Sequence, residues 1–393
     1  MADPVAWAFA TGGDYTEEVA WLTDVLRAPT GGTQHRRLRD SPRTTVAFSA
    51  LESAANRRWM DVQLRANSAA RWWVPVSIDA RRLTSAVSSG ATSLALDDSG
   101  ARFVAGGKAL VVGADPRAFE VAAIASVGSS SLTLAAGLAV GWPVGTQVIP
   151  LRAGRLVDAP AVGRFTADDS GLVDLRFRLE DPLDTTAAMP GSTYRSYPVF
   201  DVFVPVWTSD PVWSPERELQ SLDDDIATPL VVDLAGVALG KTVMQYAPDT
   251  AAAVASFRGA LFAMAGRWSP VWVPSWAQDL RLVEGVSAAQ GYIDVEGPLL
   301  SGAAIAANHR DIRIELFGGT VYYRRITGAS ALSGTVDRLT LDSTIPAAFT
   351  LSAVRIVSFI TLSVQDSDTN TLRYFDGTLM QCELTWRELD HEL

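Results

Sequence analysis

The chain has 393 residues, more than one hydrophobic core usually organises, so we expect at least two structural units. Hydrophobic residues make up 48% of it and charged residues 20%, a balance that excludes a largely disordered chain. The net charge is −11, and because such a surface repels phosphate backbones, we expect no binding to nucleic acid.

The first predicted element in chain order is a helix at residues 16–27. A threonine N-cap candidate and two acidic residues open it, and Val19, Leu22 and Leu26 share one side. With the basic segment that follows, residues 1–42 are predicted to form an N-terminal helix and arm. This region and the residue after it supply four candidate interface residues, which are Arg36, Arg37, Arg39 and Arg43.

A first β-rich unit is predicted at residues 43–185. A strand at residues 45–48 precedes an alanine-rich helix at residues 51–71, and short apolar or alternating runs follow. Clusters of glycine, aspartate and serine separate these runs at the spacing typical of sandwiches and barrels.

Residues 186–240 are predicted to be a connector rich in proline and tryptophan. Proline at this density favours extended segments, and the tryptophans indicate that these segments are docked on the rest of the chain. Three consecutive aspartates form either a solvated turn or a partner for arginines of a neighbouring subunit. The candidate interface residues of the connector are Trp207, Trp213, Asp223, Asp224 and Asp225.

A second β-rich unit is predicted at residues 241–393. It opens with a strand at residues 243–246 and a helix at residues 249–267, for which Asp249 is the expected cap. The apolar stripe of this helix consists of Val254, Phe257, Leu261 and Met264.

The last run of the chain, residues 379–386, alternates so that Cys382 and Trp386 lie on one face of a half-buried strand. Cys382 is therefore interpreted as a small core residue rather than a reactive thiol. The predicted fold class is mainly β with a few helices (α+β): two β-sandwich or barrel-like units, each with a packed helix.

The order strand, helix, Trp-Val-Pro occurs twice, at Trp73-Val74-Pro75 and at Trp272-Val273-Pro274. Tyr246 follows Phe48 by 198 residues and Pro274 follows Pro75 by 199, and later matches are up to 208 residues apart. Insertions in loops would make the offset grow in this way. Strand residues come from a small alphabet, so a chance alignment is the alternative, but the shared order of elements favours an internal duplication.

Few residues are suited to catalysis or metal binding. Cys382 is the only cysteine, which excludes an intrachain disulfide and a cysteine-based zinc site. The three histidines lack metal-binding spacing, and no nucleophile elbow or phosphate loop is present. Residues 366–370 begin like a calcium loop, but Thr371 and Gly377 replace the required glycine and glutamate, so we interpret them as a turn. We expect no enzyme activity, no metal and no cofactor.

No segment has the pattern of a targeting or membrane-spanning sequence. Residues 1–10 lack the basic and long apolar regions of a secretory signal. Apolar stretches such as residues 135–150 contain glycine and proline and are shorter than the ~20 residues of a spanning helix. We expect a soluble protein made in the cytoplasm.

The chain contains twelve tryptophans, which are suited to two different roles. Buried tryptophans with a satisfied indole N–H build cores and subunit interfaces, whereas exposed ones build platforms for sugars. Trp73 and Trp272 recur at the repeated junction, which favours packing of a helix against a sheet.

The arm and the first strand resemble a segment of tail-tip proteins of long-tailed bacteriophages. The resemblance rests on the sequence GGTQHRR at residues 31–37 and SPRTTVAF at residues 41–48. Further matches are Leu132-Thr133-Leu134, Gly141-Trp142-Pro143 and Gly145-Thr146. Together they cover residues 20–185, and the second unit matches less well because it lacks the glutamine–arginine turn.

The resemblance implies a structural virion protein at the tail tip or baseplate, like the distal tail protein. Its ring would join the tail tube to the hub and receptor-binding apparatus, and the arm arginines would reach acidic patches on a neighbouring subunit. Six copies are the first choice for the ring, and three copies with pseudo-sixfold symmetry are the second. The alternative function is a carbohydrate-binding or adhesin module that contacts the host surface through exposed tryptophans.

Overall fold

In the computed structural model of the protein, strands form most of the regular structure, so the prediction of a mainly β chain is confirmed. The structure describes residues 4–9, 11–28, 31–97, 100–165, 169–181, 185–207, 211–217, 219–223, 225–226, 228–297, 300–301 and 308–390, without the side chains of residues 13 and 14. Two α-helices are present within these ranges, α1 (Ala54–Asn67) and α2 (Ala251–Met264).

The strands of the first half of the chain are β1 (Val5–Ala6), β2 (Gly12–Ala20), β3 (Thr23–Arg27), β4 (Thr33–Arg37), β5 (Arg43–Ser53), β6 (Trp72–Pro75), β7 (Arg81–Arg82), β8 (Ser93–Ala95), β9 (Lys108–Val112), β10 (Phe119–Val127), β11 (Ser131–Leu134), β12 (Gln147–Leu156), β13 (Val162–Arg164) and β14 (Ser170–Leu179). Those of the second half are β15 (Thr193–Tyr194), β16 (Tyr197–Pro198), β17 (Val212–Glu216), β18 (Leu219–Leu222), β19 (Leu230–Asp233), β20 (Leu239–Tyr246), β21 (Val271–Pro274), β22 (Gln290–Glu296), β23 (Asp311–Leu316), β24 (Val321–Ser333), β25 (Val336–Ile345), β26 (Val354–Gln365), β27 (Thr369–Tyr374) and β28 (Met380–Glu388).

The predicted helix at residues 16–27 is wrong, because this segment forms β2 and β3. Tyr15, Glu17, Val19 and Trp21 are buried, while the residues between them are more exposed, which is the period of two that a strand requires. A charged residue in this inward-facing row interrupts the apolar alternation that identifies a strand from sequence. The three apolar residues at helical spacing then favoured the wrong element.

The two other predicted helices are confirmed in shorter form as α1 and α2. The apolar stripe predicted for α2 is buried, so this helix packs its expected face on the core. Its cap is Thr250 rather than Asp249, because the Thr250 side chain accepts a hydrogen bond from the Ala253 amide at 3.1 Å. The helix ends where Ala265 adopts a left-handed conformation, with φ of 52°.

The strands of the two halves pair in the same order. In the first half, β5 pairs with β14, β14 with β12, β12 with β6 and β9, β9 with β10, β10 with β11, and β11 with β8. In the second half, β20 pairs with β28, β28 with β26, β26 with β21 and β23, β23 with β24, β24 with β25, and β25 with β22. All these pairs are antiparallel.

A run of eight strands, part of a larger sheet, passes through both halves. Its strand order is β13–β14–β5–β2–β27–β28–β20–β17, with antiparallel neighbours throughout. The halves are joined where β2 pairs with β27. This pairing extends from Tyr15 opposite Tyr374 to Ala20 opposite Thr369. In the described part of the chain, β13 and β17 each have one strand neighbour and form the two ends.

The main hydrophobic core is shared by the halves, and it joins Trp7, Phe48 and Trp72 to Phe257 and Trp386. Each half also carries a smaller core of its own, within residues 83–148 and within residues 280–359. These cores belong to lobes inserted between β6 and β12 and between β21 and β26.

The prediction that Cys382 is a core residue is confirmed. It is buried in β28, and this burial raises the pKa of its thiol to about 12. Such a thiol is not ionised at neutral pH. No helix within the described ranges is long and apolar enough to span a membrane.

Candidate assembly interface

The contact between the halves is built from the start of the chain and a turn near its end. Asp368, between β26 and β27, accepts hydrogen bonds from the backbone amides of Thr23 at 2.6 Å and Arg267 at 3.0 Å. Gly266 permits this approach, because it has φ of +69° and a Cβ there would lie 2.6 Å from Asp368 Oδ1. The segment interpreted as a turn therefore connects the halves, a role that its sequence does not indicate.

The hairpin formed by β3 and β4, named here the first hairpin, extends this contact. Just before it, the ring of Trp21 meets that of Phe262 edge to face, with centroids 5.5 Å apart. On the hairpin, the Arg37 guanidinium lies 4.9 Å from the ring centre of Trp268. Thr23 is only 9% exposed as a result.

A buried charge cluster lies beneath the same contact. Glu17 is 0% exposed, and its carboxylate accepts a hydrogen bond from Arg258 Nη2 at 2.8 Å and one from Arg102 Nη1 at 3.1 Å. Arg102 also binds Asp79, so two acids and two arginines balance one another. Burial by itself would raise the pKa of Glu17, but Arg258 and Arg102 together lower it to about 2.

The four predicted arginines have different environments. Arg37 pairs with Asp40 at 2.9 Å and is held by Trp268, and Arg39 donates to the Ala20 carbonyl at 3.1 Å, so both serve contacts within the chain. Arg36 and Arg43 are exposed at the surface.

The predicted tryptophans Trp207 and Trp213 are each 56% exposed and lie close together. With His309, Phe359 and Trp386 they line an open cavity of about 420 Å³ on the second half. Trp213 belongs to β17, where it stands opposite Thr242.

Of the three aspartates, Asp224 lies outside the described residues. Asp223 and Asp225 are exposed in the turn between β18 and β19, and the Asp225 amide donates to Asp223 Oδ1 at 3.0 Å. Asp225 has a left-handed backbone with φ of 59°, which an aspartate tolerates in a turn. The structure thus places Arg36 and Arg37 on the hairpin of β3 and β4, and Asp223 and Asp225 on the separate hairpin of β18 and β19.

The hairpin of β18 and β19, named here the second hairpin, carries exposed apolar side chains on both faces. Those more than half exposed are Leu219, Leu222, Ile226, Leu230 and Val231. Exposed patches of this kind mark interaction surfaces. Sequence reasoning selected the aspartates of the turn and missed these side chains, although their aliphatic composition was the available signal.

The described residues contain no group of three histidine, cysteine or carboxylate side chains positioned to hold a metal ion. No protein-family model matches the sequence, and no curated protein matches it either.

Proposed function

We propose that this protein is a structural subunit that closes into a ring with copies of its own chain at the tail tip of a long-tailed bacteriophage. The observation that supports the ring is the run of eight strands, which ends in β13 on one side and β17 on the other. Edge strands present unpaired N–H and C=O groups that pair readily with another chain. Joining β17 of one copy to β13 of the next removes both edges.

The proposal includes an internal duplication, which is supported by contacts that recur in the two halves at a slowly growing offset. Trp73 pairs with Ala6 in a parallel pair of strands, and Trp272 pairs with Val199 in a parallel bridge. Val199 follows Ala6 by 193 residues. The two hairpins pair Thr23 with Arg37 and Leu219 with Asp233, at an offset of 196. The offset then reaches the 198 and 199 of the sequence repeat.

The repeated unit in this proposal is longer than the unit predicted from sequence. The arm at residues 1–42 and the connector at residues 186–240 become counterparts, because each supplies three similar elements. The first is a segment that pairs in parallel with a Trp-Val-Pro strand, and the second is a strand next to β5 in the arm or β20 in the connector. The third is a hairpin. The boundary between the units then lies between β14 and β15.

This arrangement favours three copies over six. The β2–β27 contact already joins two units within one chain, so three chains repeat it around a ring of six units. The eight strands of each chain would form one continuous barrel of 24 strands. Such a ring offers pseudo-sixfold symmetry to the tail tube and threefold symmetry to the hub.

The location at the tail tip rests on the resemblance of residues 20–185 to tail-tip proteins. The net charge of −11 and the exposed apolar hairpin agree with a protein whose partners are other proteins. Arg36 and Arg43, exposed on the first half, are available for contacts with hub or tube subunits.

The ring predicts a defined mass. Native mass spectrometry and electron microscopy of the purified chain should show a closed particle of three times 42.0 kDa. Antibodies against the chain should label the tail tip of the phage particle. A monomer at concentrations of tens of micromolar, or label away from the tail tip, would contradict the proposal, whereas six copies would keep the ring and exclude threefold symmetry.

A carbohydrate-binding function is the second candidate, favoured by the exposed pair Trp207 and Trp213 beside an open cavity. In that case a glycan array should show binding by the chain, and the Trp207→Ala variant should lose it. Absence of binding on arrays of bacterial surface glycans would remove this candidate.

A further inference from the structure

We propose that the second hairpin and β17 dock on the first half of a neighbouring copy, where β17 pairs with the edge formed by residues 157–164 and the hairpin covers the end of α1. This inference rests on the proposed ring and specifies its interface. The partner is a second copy of this chain.

The contact within the chain supplies the pattern. There, β2 pairs with β27 and the first hairpin lies against the end of α2 and the turn at Asp368. The equivalents of β2 and the first hairpin are β17 and the second hairpin. The equivalent of β27 is the edge at residues 157–164. This edge precedes β14 as the outer strand of a hairpin, just as β27 precedes β28.

The second hairpin exposes side chains at positions where the first hairpin is covered by the other half of the chain. Thr23 is 9% exposed because the second half covers it, whereas its equivalent Leu219 is 54% exposed. His35 is half-buried, and its equivalent Val231 is also 54% exposed. The same face that is covered on the first hairpin is therefore apolar and uncovered on the second.

The receiving surface has a groove of mixed polar and apolar lining at the matching position. It measures about 380 Å³ and lies between the end of α1 and the edge strand. Its apolar lining comes from Leu64, Pro160 and Val162. Its polar lining comes from Asp61, Arg65, Ser68 and Arg164, of which Asp61 and Arg164 pair at 3.2 Å. The equivalent place on the second half holds Phe262, which contacts Trp21.

The two surfaces lie at opposite ends of the run of strands, so the docking partner must be a second copy of the chain. Seven strand spacings of about 4.8 Å separate β13 from β17, or roughly 34 Å along the sheet. Antiparallel pairing of β17 with a new edge would continue the alternation seen at β2 and β27.

Engineered disulfides test this contact directly, because the one native cysteine is buried. Val212 is the equivalent of Glu18. Val212 pairs with Val243 of β20, and Glu18 pairs with Thr45, the matching residue of β5. Val212→Cys is therefore combined with a cysteine at Val157, Ala159 or Ala161, three positions that scan the register around Pro160. The expected result is a covalent ladder that ends at three chains in one of these double variants under oxidising conditions.

Mixing provides the control for direction. The Val212→Cys variant mixed with the matching single variant should give covalent dimers only, because each chain then carries one half of the contact. The Glu18→Cys/Thr371→Cys variant, built on the observed pair, should give a disulfide within one chain. Rings that form while none of the three positions cross-links would overturn the interface and leave the ring standing.

A second measurement uses the exposed face of the hairpin. Leu219→Asp combined with Val231→Asp should leave the thermal unfolding of the monomer unchanged and raise the dissociation constant of the ring by roughly ten-fold or more. Leu222→Asp is the matched control, because its equivalent Leu26 stays 60% exposed beside the docked contact. Equal effects of both changes, or none from the double variant, would contradict the docking, and a chain that never forms a ring would contradict the proposed function itself.

Discussion

Replacing Glu17 with alanine is expected to lower the free energy of unfolding by about 3–5 kcal/mol, the usual cost of removing one partner from a buried ion pair. The substitution leaves Arg258 buried without its carboxylate and leaves Arg102 with Asp79 alone. Because Glu17 belongs to β2 and Arg258 to α2, the loss falls on the contact between the halves. Urea denaturation followed by tryptophan fluorescence measures it.

The neighbouring residue provides a matched control. Glu18 has the same charge and lies in the same strand, but it points outward and pairs at 2.9 Å with Arg176, where both side chains are partly exposed. Exposed pairs of this kind contribute about 0–1 kcal/mol, so Glu18→Ala should be nearly neutral. Equal losses for the two variants would show that the buried cluster does not hold the halves together.

The Glu17 cluster also predicts a response to acid. The folded-state pKa of Glu17 is about 2, below its ordinary value of 4.5, so its contribution to stability is complete above pH 4.5. It is lost as the pH falls from 4.5 towards 2, where the unfolded chain takes up the proton first. The unfolding free energy of the native chain should therefore fall more steeply over this range than that of the Glu17→Ala variant. Parallel curves would contradict this assignment.

The sequence predicts those elements whose burial follows from apolar periodicity. The α2 stripe and the alternating run around Cys382 are buried as predicted, because each consists of apolar residues at one regular spacing. The sequence of β2 resembles that of a helix because a charged residue, Glu17, occupies an inward position. The two arginines that make its burial possible lie 85 and 241 residues away in the sequence. No local pattern contains that information.

The candidate interface was only partly predictable for a related reason. The residue types of Arg37 and Trp213 predict an interface role, and the structure places Arg37 in a contact within the chain and Trp213 on an edge strand. The proposed relation between the arm and the connector has no counterpart in the sequence, because the two segments share a pattern of strand pairing and not residues. Asp368 has its role only because folding brings Thr23 next to it.

The second large effect on stability is expected at a buried tryptophan, Trp272, and contrasts with the exposed Trp207. Trp272 is 1% exposed, and its indole N–H donates to the Tyr194 carbonyl at 2.8 Å while its ring packs on that of Tyr194. Trp272→Ala should destabilise the protein by about 3–5 kcal/mol, because it opens a large cavity beside β21 and leaves that carbonyl without its donor.

Trp207→Ala tests the same residue type where the side chain is 56% exposed, and we expect a change within about 0.5 kcal/mol. Thermal unfolding of both variants measures the contrast. If the sugar platform is real, Trp207→Ala loses ligand and keeps stability, whereas Trp272→Ala loses stability whatever the ligand. A stability loss at Trp207 as large as that at Trp272 would instead place Trp207 in the packed core, and both the platform and the open face beside β17 would have to be abandoned.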